Sequence, residues 1–319
     1  MTPPGLFGDG ANPVPPSTNT LNEGRAWFGG MAPEAASTDF VGLLRTLGRD
    51  PFASPATGSD GRILGALPEM THGTTICALR YADGVVMAGD RRATAGNIIA
   101  HRAMEKIYPA DRHSGVAIAG AAGAAMEMVK LFQLQLEHYE KLEGTAMSFE
   151  GKANTLAQMV RSNLPAAMQM GMVVVPLFAG FDLRRRRGRI FTYDYTGGRY
   201  EETDYQAEGS GGRDARTTIK LGWRDNLTRS DAIELGIQAL YEAADEDSAT
   251  GGPDPIRGIY PLMATITADG YVEVPERDVA DRFAALIERK RSQVGSAEHA
   301  APATSVTPKV RAPKGGGSA

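Results

Sequence analysis

Gly73 and Thr74 mark the point where a stretch rich in proline, glycine and alanine changes directly into an apolar strand. Residues 69–94 read EMTHGTTICALRYADGVVMAGDRRAT. So abrupt a start suggests that Thr74 becomes the N-terminus of a shortened chain. A threonine freed in this way carries a hydroxyl that can attack a carbonyl and an α-amine that can accept the proton, since the pKa of such an amine is about 7.7–8.0. Taken in isolation, a threonine that begins an ordinary strand is the simpler interpretation.

Composition limits the other chemistry open to the chain. Of 319 residues, 42% are hydrophobic and 23% charged, as in a soluble globular protein, and the net charge of −4 disfavours a nucleic-acid partner. The arginines at 184–187 are therefore interpreted as a solvated turn. A single cysteine, Cys77, excludes an internal disulfide, and the five histidines lack metal-site spacing, so we expect no metal and no cofactor. We expect no signal peptide and no membrane span, which favours a cytoplasmic location.

The chain divides into three regions. Residues 1–73 have little apolar material beyond one helical pattern at 37–50 and are predicted to be largely disordered. Residues 74–290 carry the periodic apolar pattern of a folded domain. Residues 291–319 are low in complexity and are predicted to form a flexible tail.

The order of elements within the folded region indicates its class. Two consecutive helices without a strand between them argue against a parallel βαβ pattern and favour two antiparallel sheets with helices outside. The Asp83-Gly84 pair predicts a tight hairpin turn, and Cys77 is predicted to be a buried structural thiol. The predicted elements are a hairpin over 74–92, a strand over 113–120, helices over 121–144 and 149–168, strands over 172–181 and 189–195, a helix over 229–245, a hairpin over 259–274 and a helix over 276–290.

From Thr74 onward the sequence resembles the β-subunits of the proteasome core particle. The resemblance rests on TTICALRYADGVVMAGDRRATAGNIIAHRAMEKIY and continues through IAGAAGAAMEM, LEHYEKLEG, EGSGGRD and DEDSATGGPD, about 210 residues in all. It is strongest to the actinobacterial form. These subunits are N-terminal nucleophile hydrolases, so the resemblance implies an α+β fold with a four-layer αββα sandwich. It also implies a precursor in which residues 1–73 are a propeptide removed by self-cleavage between Gly73 and Thr74.

The resemblance assigns roles to four residues by their spacing. Thr74 matches the nucleophile, and Asp90, Lys106 and Gly120 follow it by 16, 32 and 46 residues, as in the family. Counting from Thr71 or Thr75 breaks all three matches. Lys106 is expected to lie beside Thr74 as a cation held by Asp90, which favours proton transfer. The backbone N–H of Gly120 is expected to stabilise the oxyanion, a contribution of typically about 3–4 kcal/mol.

Three further residues match positions that contact the terminal amine and the nucleophile in the family. They are Ser210, Asp247 and Thr250, and many relatives have serine in place of Thr250. Asp247 is predicted at the C-terminal end of a helix, where a carboxylate is unfavourable for the helix dipole and a functional role is correspondingly favoured.

The resemblance also indicates a substrate pocket. The residues matching the pocket for the P1 side chain are all apolar, which predicts a preference for large apolar P1 residues and no recognition of charge. Thr94 and Ala122 are expected to offer backbone hydrogen bonds to an extended peptide. The matching pocket positions are Ala93, Met104, Ile118, Ala122 and Met126.

The implied partners follow from the family architecture. They are proteasome α-subunit rings, six further copies of this chain in a seven-membered ring, a ring-shaped ATPase activator, and unfolded or tagged protein substrates. Two alternatives stay open: a structural ring subunit without activity, and the bacterial peptidase with six-membered rings that shares the fold. The long prosegment favours a threonine endopeptidase of the proteasome type.

Overall fold

The computed structural model describes residues 73–299. Residues 1–72 of the predicted disordered region, including the helical pattern at 37–50, and the part of the predicted tail beyond 299 lie outside the described residues.

Two five-stranded antiparallel sheets form the centre of the fold. Sheet I has the strand order β10-β1-β2-β11-β12, sheet II has the order β5-β6-β7-β8-β9, and β3 and β4 form a separate hairpin. The strands are β1 (Thr75–Tyr81), β2 (Gly84–Gly89), β3 (Ala93–Ala95), β4 (Ile98–His101), β5 (Ile107–Asp111), β6 (Ser114–Gly120), β7 (Val174–Asp182), β8 (Arg187–Tyr193), β9 (Arg199–Glu202), β10 (Tyr205–Gly209), β11 (Leu262–Thr267) and β12 (Gly270–Glu273).

Helices cover the outer face of each sheet. Those on sheet I come from the C-terminal half of the described chain, and those on sheet II lie between β6 and β7. The described helices are α1 (Ala122–Glu143), α2 (Phe149–Ser162), α3 (Leu164–Met170), α4 (Gly212–Gly222), α5 (Arg229–Glu246) and α6 (Glu276–His299). Within residues 73–299, we find no helix with the length and apolar character required to cross a membrane.

Strand β1 shows how the sequence generates the layers. Because successive side chains of a strand point to opposite faces, Ile76 and Ala78 pack between the two sheets, whereas Cys77 and Leu79 pack against α4 and α5. A third apolar cluster, which includes Phe132 and Phe178, joins sheet II to α1 and α2. These three apolar layers confirm the predicted four-layer αββα sandwich.

The thiol and the first turn follow their predictions. Cys77 is fully buried, and burial raises the pKa of its thiol to about 12, so it is a structural thiol. The hairpin turns at Ala82-Asp83, with Tyr81 paired to Gly84.

Other element predictions are wrong in part. The helix expected over 149–168 is two helices, since Pro165 lies in the first turn of α3 and a proline has no N–H to continue a helix. The final helix extends to His299, so residues 291–299 are helical where a tail was predicted. Strands β3, β4, β5, β9 and β10 and helix α4 were not predicted. Helix α4 begins without a side-chain cap, so its start has no sequence signal.

Candidate active site

Thr74 lies immediately before β1 and is still joined to Gly73 in this structure. It is buried, with 5% of its surface exposed, and its Oγ donates a hydrogen bond of 2.8 Å to the carbonyl oxygen of Gly73. Its backbone nitrogen lies 3.3 Å from Ser210 Oγ. The hydroxyl is therefore directly beside the carbonyl that it would have to attack for self-cleavage.

Gly209 allows Ser210 to approach Thr74. Its φ is +99°, a conformation that favours glycine, and a Cβ built there would lie 1.9 Å from the carbonyl oxygen of Thr74. The following backbone N–H, that of Ser210, donates to that same oxygen at 2.8 Å. The end of β10 thus places the Ser210 hydroxyl against the candidate nucleophile.

Asp90 and Lys106, called here the lysine pair, approach Thr74 from the ends of two different sheets. Asp90 follows β2 in sheet I, and Lys106 precedes β5 in sheet II. Lys106 Nζ donates to Asp90 Oδ1 at 2.6 Å and lies 3.4 Å from the carbonyl oxygen of Gly73. A cation therefore touches the same carbonyl oxygen as the Thr74 hydroxyl.

Asp90 is saturated with donors. Its Oδ1 accepts from the Thr75 N–H as well as from Lys106, and its Oδ2 accepts from the N–H groups of Arg92 and Gly251. The carboxylate is fully buried, so these bonds replace the water that it lost on folding. The position of the Asp90 side chain is thereby fixed, and it determines that of Lys106.

The ammonium of Lys106 is perturbed by its surroundings. The side chain is 1% exposed, and burial lowers the pKa of Lys106, while the Asp90 carboxylate opposes that change. A lysine whose pKa is lowered exchanges protons more readily near neutral pH than an exposed lysine does. This property suits a residue beside a reacting hydroxyl.

Ser210, Asp247 and Thr250, called here the carboxylate cluster, form the other side of the site. Asp247 is the C-terminal cap of α5, and its Oδ2 accepts from Ser210 Oγ at 2.5 Å and from Thr250 Oγ at 2.6 Å. Burial raises the pKa of Asp247, but these hydrogen bonds outweigh burial and hold the pKa below its usual value. Because the Ser210 hydrogen is directed at Asp247, the Ser210 oxygen is left to accept from the Thr74 nitrogen.

Gly120 ends β6 next to the start of α1 and has a φ of +104°, a conformation that favours glycine. A Cβ at this position would lie 2.1 Å from the carbonyl oxygen of Val173, so close packing is by itself a sufficient reason for glycine here. Its role as an oxyanion donor stays a prediction.

Five of the six predicted substrate residues lie in three elements around the site, and Met104 lies in the loop between β4 and β5. Ala93 and Thr94 are in β3, Ile118 is in β6, and Ala122 and Met126 are one turn apart on α1. The side chain of Thr94 accepts a 3.0 Å hydrogen bond from the Gly73 N–H, although the expectation for Thr94 concerned its backbone.

One of these residues is bonded to the lysine pair and another to a neighbour of that pair. The backbone N–H of Ile118 donates to the carbonyl oxygen of Lys106, and that of Met104 donates to the carbonyl oxygen of Arg91, the residue after Asp90. Ile118 itself is buried in the apolar cluster beneath α1 and α2, whereas Met126 is 40% exposed. The predicted pocket residues thus include one core residue and several more accessible ones.

Sequence reasoning missed several groups that hold the site. The carbonyl oxygen of Arg92 accepts from Lys106 Nζ at 2.5 Å, and its guanidinium donates to the carbonyl oxygen of Ser248. Most of these contacts use backbone atoms, which every residue type has, so the sequence cannot indicate them. Thr75 is different, because its side chain bonds to Thr250 and its position beside Thr74 is visible in the sequence.

Comparison with known proteins identifies the family to which this sequence is similar. A family model described as "Proteasome subunit" matches residues 70–256. A curated protein named proteasome subunit beta, from Acidimicrobium ferrooxidans, is 61% identical over 238 residues, which cover 75% of this chain and 85% of that protein. Another protein of that name, from Streptomyces griseus subsp. griseus, is 50% identical over 275 residues, covering 86% of this chain and 96% of that protein.

Proposed function

The chain belongs to the proteasome subunit family, and from that premise we infer that it is a proteolytic β-subunit of the proteasome core, a threonine endopeptidase made as a precursor. The observation that carries the mechanism is the position of Thr74 Oγ, 2.8 Å from the carbonyl oxygen of Gly73, with Lys106 Nζ 3.4 Å from that oxygen. The similarity to β-subunits over most of their length favours this function over the peptidase with six-membered rings.

Self-cleavage begins with attack of Thr74 Oγ on the carbonyl carbon of Gly73. The bond between that carbon and the Thr74 nitrogen breaks, the nitrogen gains the proton lost by the hydroxyl, and an ester links Gly73 to Thr74. Water then hydrolyses the ester, which gives Gly73 a carboxylate and leaves Thr74 with a free hydroxyl and a free amine. Before cleavage the Thr74 nitrogen is an amide and cannot act as a base, so Lys106, with its lowered pKa, serves proton transfer in the precursor.

The freed amine changes the chemistry at Thr74. It accepts the hydroxyl proton as Oγ attacks a substrate carbonyl, and it returns that proton to the leaving amine. The Ser210 oxygen, 3.3 Å from the nitrogen, accepts from the resulting ammonium, and Asp247 behind Ser210 stabilises its charge. Lys106 remains beside the reacting oxygen as a cation that favours removal of the hydroxyl proton.

The substrate preference is a proposal based on the residues around Thr74. Ala93, Met104, Ile118, Ala122 and Met126 offer no charge, and methionine side chains adapt to different shapes. We therefore expect the enzyme to cleave after large apolar or aromatic residues.

Assembly with other subunits follows from family membership, and its details are proposals. Leu131, Leu134 and Leu142 of α1 are 47%, 60% and 70% exposed in the single chain, and an apolar helix face of this kind is normally covered by a neighbouring subunit. We propose seven-membered β rings between α rings, a ring-shaped ATPase that feeds unfolded or tagged proteins, and a cytoplasmic location.

The test of this function is an intact-mass measurement on the chain co-expressed with the α-subunit of its own organism, together with a peptidase assay. We expect one species that begins at Thr74, and cleavage after Leu, Phe or Tyr at least about tenfold faster than after Asp or Lys. A full-length chain in assembled, inactive rings would instead identify a structural subunit.

Substitution of Gly73 by alanine tests the geometry of the cleavage site. A Cβ at Gly73 would lie 2.0 Å from the Cβ of Ala249, so the carbonyl must move away from Thr74 Oγ. We expect processing of Gly73→Ala to be at least about tenfold slower than wild type, measured by intact mass over time.

Two controls accompany this variant. Residue 73 is lost on processing, so any Gly73→Ala chain that does mature should have the wild-type kcat. Gly123→Ala, at an exposed position in α1 where no atom lies within 4 Å of the added Cβ, should mature at the normal rate. Normal processing of Gly73→Ala would contradict the described cleavage geometry.

A further inference from the structure

Thr75, the residue after the candidate nucleophile, is tied to both sides of the site. We propose that Thr75 is a positioning residue for the peptidase, an assignment that rests on the function proposed above. Its backbone is hydrogen-bonded to Asp90 of the lysine pair, and its hydroxyl is hydrogen-bonded to Thr250 of the carboxylate cluster. Thr75 therefore fixes the position of the lysine pair relative to the carboxylate cluster, on either side of Thr74. Thr75 does not touch the reacting atoms in this role.

The Thr75 hydroxyl is buried, so its hydrogen-bond partners indicate its role. The residue is fully buried in β1, where a valine would give the same β-branched shape without a polar atom. A buried hydroxyl is unfavourable unless it is hydrogen-bonded, so the partners of this oxygen indicate why a threonine is present. Those partners are Gly211 and Thr250.

The backbone of Thr75 is bonded to Asp90 in both directions. Its N–H donates to Asp90 Oδ1 at 2.8 Å, and its carbonyl oxygen accepts from the Asp90 N–H at 3.0 Å. The same Oδ1 accepts from Lys106 Nζ. The position of Thr75 is therefore fixed by the carboxylate that positions the lysine.

The side-chain hydrogen bonds of Thr75 run in one direction. The Gly211 N–H donates to Thr75 Oγ at 3.0 Å, and Thr250 Oγ donates its hydrogen to Asp247. The 2.6 Å contact between the Thr75 and Thr250 hydroxyls must then use the Thr75 hydrogen, with Thr250 as acceptor. Hydrogen bonds thus lead from the Gly211 backbone through two buried hydroxyls to the Asp247 carboxylate.

This arrangement fixes the turn that carries Ser210. Gly211 follows Ser210 directly, and a Cβ at Gly211 would lie 2.6 Å from Thr75 Oγ. The turn therefore packs closely against the Thr75 side chain. Ser210 is itself exposed, and its oxygen must stay within reach of the Thr74 nitrogen. By holding both Gly211 and Thr250, the Thr75 hydroxyl keeps Ser210 and Asp247 aligned with the amine that accepts the proton.

The experiment compares wild type, Thr75→Val and Thr75→Ser, each co-expressed in the full chain with the α-subunit. Valine keeps the shape and removes the hydroxyl, whereas serine restores it. We expect Thr75→Val to lower the kcat of the mature enzyme about tenfold with a KM within twofold of wild type, because substrate does not touch Thr75. We expect Thr75→Ser to recover most of the lost kcat. Activity is expressed per chain that begins at Thr74, counted by intact mass, so slower processing does not enter kcat.

Thr265→Val is the matched control. Thr265 is a buried threonine of sheet I, 3% exposed, whose hydroxyl lies 3.5 Å from the carbonyl oxygen of Val272 and away from the site. It should keep the wild-type kcat. A Thr75→Val enzyme with the wild-type kcat would overturn the proposal, and so would a Thr75→Ser enzyme no better than Thr75→Val. If wild type itself fails to mature and cleave peptides, the proposed function fails instead.

Discussion

Replacement of Thr74 by alanine is expected to leave the chain full-length and without peptidase activity. Alanine removes the hydroxyl that lies 2.8 Å from the Gly73 carbonyl oxygen, so neither the ester of self-cleavage nor the acyl-enzyme can form. Loss of a nucleophile typically lowers kcat by 10³-fold or more, and here it also prevents the release of the amine. Intact mass and hydrolysis of a peptide with an apolar P1 residue measure both effects.

Thr74→Ser is the informative companion to Thr74→Ala. Serine supplies a hydroxyl and, after cleavage, an α-amine, so it should mature and retain activity. The alanine variant should still assemble, because the other hydrogen bonds at this position use the backbone nitrogen and carbonyl of residue 74. Cleavage at residue 74 in the alanine variant would mean that another protease performs processing, and peptidase activity in it would exclude Thr74 as the nucleophile.

The sequence was most informative where function fixes a spacing. Asp90 and Lys106 lie in unremarkable positions after one strand and before another, and only their distance from Thr74 along the chain distinguishes them. The structure brings Lys106 to Asp90 and to the Gly73 carbonyl because the end of β2 and the start of β5 lie at the same side of the sandwich. The order of elements likewise predicted two antiparallel sheets with helices outside, and the resemblance to the family supplied the four-layer αββα arrangement.

Contacts between distant segments were not predictable from one sequence. Ala249 limits the residue at position 73 through a contact across the fold, and Gly251 holds Asp90 through a backbone N–H that any residue type could supply. Pro165 indicates in the sequence that α2 must end before it. The end was nevertheless not predicted, because the apolar stripe of the helix continues to Leu164. Thr75 was concealed for another reason, because a threonine in a strand is ordinary until its neighbours are known.

Replacement of Lys106 by methionine is expected to slow processing by about 10²–10⁴-fold, the range typical of a lost acid–base group, and so to leave the chain full-length and without peptidase activity. Methionine fills a similar volume but has no proton to exchange and no charge beside Thr74. Asp90 keeps its hydrogen bonds from the backbone N–H groups of Thr75, Arg92 and Gly251, so the carboxylate remains satisfied and the site keeps its shape. The measurements are intact mass, ring assembly and the peptidase assay.

Lys152 provides the comparison that separates chemistry from stability. It is 4% exposed and paired with Asp111 on the outer side of sheet II, so Lys152→Met removes a largely buried ion pair far from Thr74. Breaking a buried pair typically costs about 3–5 kcal/mol, and both variants should show a lowered thermal midpoint. Because Lys106 touches the Gly73 carbonyl and Lys152 does not, assembled Lys152→Met should mature and cleave peptides normally while assembled Lys106→Met does neither. Equal loss of activity in the two assembled variants would show that Lys106 stabilises the fold and has no part in proton transfer.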